Sequence, residues 1–163
     1  MGHKEHKRAA PDDIRCKVIT VSDTRDKETD ESGKLIRKLL EEHGHGVCSY
    51  SIIPDEMNMI KEELGTKDAD AYIINGGTGI SSRDVTPDAV KDIVDKILPG
   101  FGEMFRSLSY EEIGSAAYLS RAIAGVNDKQ VVFALPGSKA AVELGMEKLI
   151  LPELGHLVYE VNK

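Results

Sequence analysis

Apolar and β-branched residues form short runs along the chain, and these runs alternate with segments in which apolar residues recur every three or four positions. The runs are rich in β-branched residues and end at polar or turn-forming residues, which is typical of buried strands. The helical spacing of apolar residues at 35–40 and 57–64 predicts a helix after each of the first two runs. The runs predict four strands, at residues 15–21 (RCKVITV), 47–53 (VCSYSII), 71–75 (AYIIN) and 130–135 (QVVFAL).

The second half of the chain shows the same alternation. Thr86 followed by Pro87 predicts a helix start, with an N-cap hydroxyl and then proline at the first helical position. We expect Pro99 and Gly100 to end that helix, whose buried face is predicted to consist of Val90, Ile93, Val94 and Ile97. The remaining predictions are helices at 101–109 and 116–119, a short strand at 121–126, a long helix at 139–150 and helical structure at 152–163.

This order of strands and helices predicts an α/β fold. Strands that alternate with helices form βαβ units, so the sheet should be mostly parallel and carry helices on both faces, giving three α/β/α layers. The chain has 163 residues and shows no internal repeat, so we expect a single domain at 14–163. Residues 1–13 are polar and basic and are predicted to be a flexible arm.

Composition excludes several classes of protein. With 28 acidic and 21 basic residues the net charge is -7, which disfavours nucleic acid and anionic lipid as partners. No apolar run approaches the roughly 20 residues of a membrane span, and the N-terminus lacks the apolar segment of a secretion signal. Cys16 and Cys48 both lie in strand-like runs, so we expect buried free thiols and a reducing cytoplasm.

Candidate chemistry lies in the loops that follow the predicted strands, because ligands of open α/β sheets bind at the carboxyl ends of the strands. The GGTG sequence at residues 76–79 is the sharpest signal, since glycine-rich backbone can turn successive N–H groups toward an anion. The alternative is a tight turn without a ligand. The four loops begin with Ser22-Asp23, Pro54-Asp55, Gly76-Gly77-Thr78-Gly79 and Pro136-Gly137-Ser138.

Three carboxylates share this edge of the predicted sheet. Asp23 and Asp55 follow strands, and Asp84 lies shortly after the GGTG loop. Paired aspartates can hold Mg²⁺, which prefers oxygen ligands and keeps substrate phosphates in its shell. Taken singly, Asp55 could instead cap the helix that follows it, and Asp84 could cap a turn. The shared location of the carboxylates favours the metal-binding interpretation.

Other polar residues give weaker signals. His43 and His45 flank a predicted helix end and have no cysteine or further histidine as metal partners, and His156 stands alone. Ser115 has no histidine near it in the sequence, so a serine nucleophile is disfavoured. The apolar residues at 151–158 suit either the core or a subunit contact, and the sequence does not choose between them.

Several separated motifs together resemble the molybdopterin adenylyltransferase family of the MoaB/MogA type. The resemblance covers roughly residues 14–150 and is highly specific, because the motifs agree in order and spacing. One departure is Lys139, where many relatives have proline. The motifs are TVSD (20–23), IPDE (53–56), NGGTGISSRDVTPDAV (75–90), PGFGE (99–103), LSR (119–121) and LPGS (135–138).

The resemblance implies a molybdopterin-binding, MogA-like fold and transfer of AMP from Mg²⁺-ATP to the terminal phosphate of molybdopterin. Asp55 and Asp84 match the functionally critical aspartates, which implies that they are the catalytic and metal-binding residues. It also implies homotrimers or hexamers, and a partner protein that inserts molybdate or tungstate. The alternative is a non-catalytic molybdopterin-binding or assembly protein. The residues that match ligand-binding loops are Ser22, Gly76, Gly77, Thr78, Gly79, Pro136, Gly137 and Ser138.

Overall fold

The computed structural model describes residue 11 and residues 13–163, and its centre is a six-stranded sheet. The predicted arm at residues 1–13 falls almost wholly outside the described residues. The strands are β1 (Arg15–Val21), β2 (Gly46–Ile53), β3 (Ala71–Asn75), β4 (Lys96–Ile97), β5 (Ile123–Asn127) and β6 (Gln130–Leu135). The α-helices are α1 (Glu31–Glu42), α2 (Met57–Leu64), α3 (Thr86–Ile93), α4 (Pro99–Ile113), α5 (Lys139–Gly145) and α6 (Leu151–Asn162).

The strand order β2-β1-β3-β6-β5-β4 combines a parallel half with an antiparallel edge. The strands β2, β1, β3 and β6 pair in parallel, while β5 runs antiparallel to both β6 and β4. The four predicted strands and the mostly parallel sheet are confirmed. The predicted strand at 121–126 is also present, displaced to Ile123–Asn127.

Apolar side chains leave the sheet alternately on its two faces and form two cores. Neighbouring residues of β1 illustrate this, because Val18 belongs to one core and Ile19 to the other. The first core is covered by α1, α4, α5 and α6, and the second by α2 and α3. The three-layer prediction is therefore confirmed. The open question about residues 151–158 is also settled for Leu154 and Val158, which are buried in the first core.

The predicted buried face of α3 is wrong at its C-terminal end. The helix ends at Ile93, and Ile97 lies in the two-residue strand β4 with 45% of its surface exposed. Pro99 begins α4 instead of ending α3, because a proline at the first helical position loses no intrahelical hydrogen bond. The helix predicted at 101–109 is correspondingly longer, and residues 114–119 form a 3-10 helix.

The prediction of two buried thiols is correct for Cys16 and wrong for Cys48, which is exposed. The cause is a β-bulge: Cys16 pairs with Val47 and Lys17 with Ser49, so Cys48 is an extra residue in β2. Burial raises the pKa of the Cys16 thiol to about 12.

The predicted helix at 139–150 is regular only as far as Gly145. One π-helical turn (Met146–Ile150) follows and leads directly into α6. Gly145 packs against β6 so closely that a methyl group in its place would lie 2.5 Å from Leu135 Cδ2. Among the residues that the structure describes, no helix has the length and apolarity needed to cross a membrane.

Candidate functional site

Four parallel strands end side by side at one edge of the sheet. Their last residues are Val21, Ile53, Asn75 and Leu135, and in the sheet register Val21 faces Ile53 while Asn75 faces Leu135. The loops that follow them contain every site residue predicted from the sequence. The expectation that these loops come together at the carboxyl edge is therefore met.

The floor of this edge is a buried polar network. Thr20 Oγ1 donates a 2.6 Å hydrogen bond to Asp30 Oδ2, and Asn75 Nδ2 donates to Thr20 Oγ1 at 2.9 Å. Tyr50 donates its hydroxyl proton to the same Asp30 oxygen, and burial together with this bond raises the pKa of Tyr50. Asp30 also caps α1 by accepting from Gly33 N. One carboxylate thus ties β1, β2 and, through Thr20, β3 to a helix.

The glycine loop at residues 76–79 needs glycine at its first two positions. Gly76 and Gly77 have φ values of +100° and +70°, a region that other residues rarely adopt. A methyl group at Gly76 would lie 2.2 Å from Val21 O. Within the described part of the chain, the N–H groups of residues 77–80 donate no hydrogen bond to another residue. Successive unpaired N–H groups form an anion-binding concavity.

Asp55 lies against this loop. A methyl group at Gly77 would be 3.0 Å from Asp55 Oδ1 and 2.4 Å from Thr86 Oγ1. The capping interpretation of Asp55 fails, because the N-cap of α2 is Glu56 and no side chain caps that helix. Burial, and then the negative charges of Asp23 and Asp84, raise the pKa of Asp55. Because the negative charges around Asp55 repel one another, a cation bound beside them would be stabilised.

Asp84 lies against the other end of the loop. A methyl group at Gly79 would be 2.7 Å from Asp84 Oδ2. That oxygen accepts hydrogen bonds from Ser81 N at 3.0 Å and Ser81 Oγ at 2.7 Å, so Asp84 does cap a turn. Its Oδ1 atom accepts no hydrogen bond from the residues described. Capping and ligand binding are therefore compatible at Asp84.

The LPGS loop packs against the start of the glycine loop. A methyl group at Gly137 would lie 3.3 Å from Gly76 Cα. The Gly137 carbonyl accepts from Ser32 Oγ at 2.6 Å and from Arg25 Nη1 at 2.9 Å. Ser138 is the N-cap of α5, accepting from Ala141 N at 3.2 Å. Pro136 and Gly137 are thus held beside Gly76 by polar contacts with the segment that follows β1.

The loop after β1 is shaped by its serine. Ser22 Oγ accepts hydrogen bonds from Thr24 N at 3.2 Å and Arg25 N at 3.0 Å. The next residue, Asp23, accepts from Asp55 N at 3.0 Å, which joins the first two loops. Ser22 therefore has a local structural role in the described residues, and its predicted ligand contact stays a prediction.

Three arginines at this edge were not predicted from the sequence: Arg25, which bonds the Gly137 carbonyl, and Arg83 and Arg121. Arg83 Nε and Nη2 form a bidentate pair with Asp23 at 3.0 and 2.9 Å, and this pairing lowers the pKa of Asp23. Arg121 contacts the backbone of the glycine loop and of Asp84. Each arginine is a single residue far along the chain from its partners, so no local spacing marks it. The only signal for Arg121 was its place in the LSR motif.

One predicted helix cap is wrong. The N-cap of α3 is Val85, and Thr86 is the first helical residue. No side chain caps this helix start; Thr86 N, which has no partner within the helix, donates instead to Gly77 O at 3.1 Å, so the glycine loop takes the place of a cap. The Thr86 hydroxyl is fully buried beside Gly77 and has no hydrogen-bond partner in the described structure.

The histidines form no metal site at this edge. Residue 11 and residues 13–163 contain no group of three or more histidine, cysteine or acidic side chains placed to hold a metal ion. His45 Nδ1 accepts from Ile14 N, and His156 pairs with Glu153 and Glu160 on α6. A cation held here by Asp55 and Asp84 would complete its shell with oxygens of water or of a bound phosphate.

Comparison with known proteins identifies the class to which this fold and glycine loop belong. Residues 17–156 match the family described as "Probable molybdopterin binding domain". The molybdenum cofactor biosynthesis protein B of Bacillus subtilis (strain 168) is 55% identical over 168 residues, which cover 100% of this chain and 99% of that protein. The chain therefore belongs to the MoaB-type family of molybdenum cofactor biosynthesis proteins, as the sequence motifs predicted.

Two solved structures show the same fold. A crystal structure of a molybdenum cofactor biosynthesis protein B matches with a TM-score of 0.90 at 52% identity, covering 94% of this chain and 98% of that one. The tungsten cofactor synthesizing protein MoaB from Pyrococcus furiosus matches with a TM-score of 0.84 at 39% identity, covering 94% of this chain and 100% of that one. The predicted molybdopterin-binding fold is confirmed.

Proposed function

We propose that this protein adenylylates molybdopterin, using Mg²⁺-ATP and releasing pyrophosphate. The single observation that carries the proposal is the placement of Asp55 and Asp84 against opposite ends of one glycine loop. The loop presents unpaired N–H groups, and the two carboxylates suit a cation that accompanies a triphosphate. Family membership supplies the pterin as the second substrate class.

The donor set fits Mg²⁺. This ion is usually bound through one or two carboxylates, with waters and substrate phosphates completing an octahedral shell. Asp55 and Asp84 supply two such carboxylates. The negative charge of Asp84 adds to burial and to the charge of Asp23 in raising the pKa of Asp55, which supports a location of both carboxylates at one site. When bound, the ion would neutralise charge on the triphosphate and on the pyrophosphate leaving group.

The chemistry needs no strong general base. A phosphate oxygen of molybdopterin forms a bond to the α-phosphorus of ATP, and the bond from that phosphorus to the pyrophosphate oxygen breaks. A phosphate monoester has a second pKa of about 6, so the nucleophile is already anionic at neutral pH. The task of the chain is therefore to bring two anions together, and the N–H groups of residues 77–80 can hold phosphate oxygens while doing so.

An assay of ATP and molybdopterin with and without Mg²⁺ tests the proposal. We expect an adenylylated pterin, detected by mass, and pyrophosphate only when the ion is present. Asp84→Asn should abolish pyrophosphate release and leave pterin binding nearly intact. Asp92→Asn is the matched control, because Asp92 is an exposed aspartate that pairs with Lys61 away from the site. Unchanged turnover by Asp84→Asn would refute the metal role.

A non-catalytic pterin-binding or assembly protein is the second candidate. It is favoured by the excess of 28 acidic over 21 basic residues, because a net charge of -7 gives no long-range attraction for a triphosphate. Under this alternative the wild-type protein binds molybdopterin and leaves ATP unconsumed in the same assay. The presence or absence of the adenylylated pterin therefore distinguishes the two candidate functions.

We also propose that the protein is a homotrimer or a hexamer, and that a metal-inserting protein receives its product. Four large apolar side chains on α4 and the 3-10 helix are more than half exposed, which supports a subunit contact.

Tyr118→Glu should lower the mass measured by light scattering, whereas Met59→Glu on α2 should not. Incubating the adenylylated pterin with molybdate and, separately, with tungstate, and measuring the bound metal by mass, would show which of the two metals it takes. The four residues are Met104, Tyr110, Ile113 and Tyr118.

A further inference from the structure

Arg121 connects the segment before β5 to the glycine loop. Its backbone N–H donates to Thr78 O at 2.9 Å, and its Nε donates to Gly79 O at 2.8 Å. Its Nη2 donates to Asp84 O at 2.6 Å, and its Nη1 lies 3.2 Å from both oxygens of Asp88. One residue thus holds two consecutive carbonyls of the loop and the backbone of a predicted metal ligand.

These contacts determine where the loop N–H groups point. In a trans peptide the carbonyl and the N–H lie on opposite sides, and the described residues contain no cis peptide. The backbone N–H of Arg121 takes the Thr78 carbonyl and its guanidinium takes the Gly79 carbonyl, so the N–H groups of Gly79 and Ile80 point away from the arginine. The orientation of the Ile80 N–H therefore depends on the side chain, and that of the Gly79 N–H on the backbone. Those N–H groups have no partner among the described residues, so they are available to an anionic ligand.

The guanidinium geometry is essential to this arrangement. Arginine presents several donors in a rigid planar fork, and Arg121 uses three of its side-chain donors on Gly79, Asp84 and Asp88. Asp88 fixes the plane of the fork from α3, where it stands in the first turn. Lysine carries the same charge on a single nitrogen. That nitrogen cannot replace the separate Nε and Nη2 donors that bind the carbonyls of Gly79 and Asp84.

We propose that Arg121 is a positioning residue, which orients the N–H groups of the glycine loop and the backbone of Asp84 for a phosphate-bearing ligand. The inference rests on the proposed function only for the identity of that ligand. Independently of that identity, we expect that removing the Arg121 guanidinium weakens phosphate binding without unfolding the protein.

A neighbouring arginine provides a matched control. Arg106 also donates to backbone carbonyls, those of Ser120 and Ala122 at 3.4 and 3.2 Å, and these residues flank Arg121. Both arginines line the same cavity of about 400 Å³. Arg106→Lys therefore makes the same chemical change beside the same cavity, without a contact to the glycine loop.

The experiment compares wild type, Arg121→Lys and Arg106→Lys. Calorimetry with ATP and with inorganic pyrophosphate, each with Mg²⁺, measures binding, and steady-state kinetics separates KM from kcat. We expect Arg121→Lys to weaken binding and raise the KM for ATP by about 10–100-fold, the range typical when a hydrogen-bond partner that orients a metal ligand is lost. Arg106→Lys should stay near wild type. Amide hydrogen exchange should accelerate in Arg121→Lys alone at the two amides that bond the glycine loop, Thr86 N–H (to Gly77 O) and residue 121 N–H (to Thr78 O).

The outcomes separate this inference from the proposed function. Wild-type KM and binding in Arg121→Lys overturn the inference and leave adenylylation standing. Weakened pyrophosphate binding in Arg121→Lys, together with no adenylylated product from wild type, supports the inference and overturns the proposed function. Equal losses in both lysine variants, or a wild-type protein that binds neither phosphate ligand, also overturn the inference.

Discussion

Replacing Gly76 by alanine tests how the glycine loop is fitted to the sheet. Two costs are expected at this position. The φ value of +100° is unfavourable for any residue with a Cβ atom, and backbone strain of this kind costs about 1–3 kcal/mol. The added methyl group would also lie 2.2 Å from Val21 O, and backbone cannot rotate away as a side chain can. Overpacking typically costs about another 1–3 kcal/mol.

Gly114 and Gly100 separate these two costs. Gly114 has a φ value of +71° but nothing within 4 Å of the added methyl group, so Gly114→Ala should show only the strain. Gly100 has the same open space without a positive φ, in the first turn of α4, so Gly100→Ala should be neutral or stabilising by up to about 1 kcal/mol. We therefore expect Gly76→Ala to be the most destabilising of the three, by about 2–6 kcal/mol in total.

Urea unfolding followed by circular dichroism gives the three free energies of unfolding, and the slopes of the transitions show whether the unfolding mechanism is shared. A stability of Gly76→Ala equal to that of Gly114→Ala would refute the steric argument. In that case the contact between Gly76 and the end of β1 would be loose, and the glycine loop would not be fixed to the sheet as described.

Three further predictions concern the other loops. Asp55→Asn should raise the free energy of unfolding of the metal-free protein at pH 7. The raised pKa of Asp55 makes its charge unfavourable in the fold, so this gain should fade as the pH falls through that pKa toward the unfolded value; no gain at pH 7 would contradict the assignment. Ser138→Ala should cost about 0.5–2 kcal/mol in thermal unfolding and Ser138→Gly much less, since Ser138 caps α5. Arg83→Gln should raise the pKa of Asp23 in an NMR titration, and an unchanged pKa would exclude the bidentate pair in solution.

The parallel half of the fold could be predicted because its signals are local. Strands β1, β3 and β6 are short runs rich in apolar and β-branched residues, and the loops after them follow directly from the next residues in the sequence. The antiparallel edge could not be predicted in the same way. Two residues carry no periodicity, so β4 gave no signal, and the apolar residue Ile97 was assigned to the helix before it.

The residues of the candidate site also fall into those with a local signal in the sequence and those without one. Gly76, Asp55 and Asp84 could be predicted as candidates because each stands in a loop whose position follows from a predicted strand. Arg121 could not be singled out as a candidate, because it contacts Gly79, which is 42 positions away in sequence. A single sequence carries no record of such pairings, and only the folded structure brings them together.

The bulge at Cys48 has a consequence for how the protein avoids self-association through its sheet. Strand β2 is one outer edge of the sheet and is eight residues long, which would make an untwisted edge a template for another chain. The extra residue increases the local twist and interrupts the regular ladder of backbone groups. The opposite edge, β4, has only two residues and so offers almost no ladder at all. The bulge makes the start of the long edge a less regular template for a second chain, and the other edge is too short to pair with one.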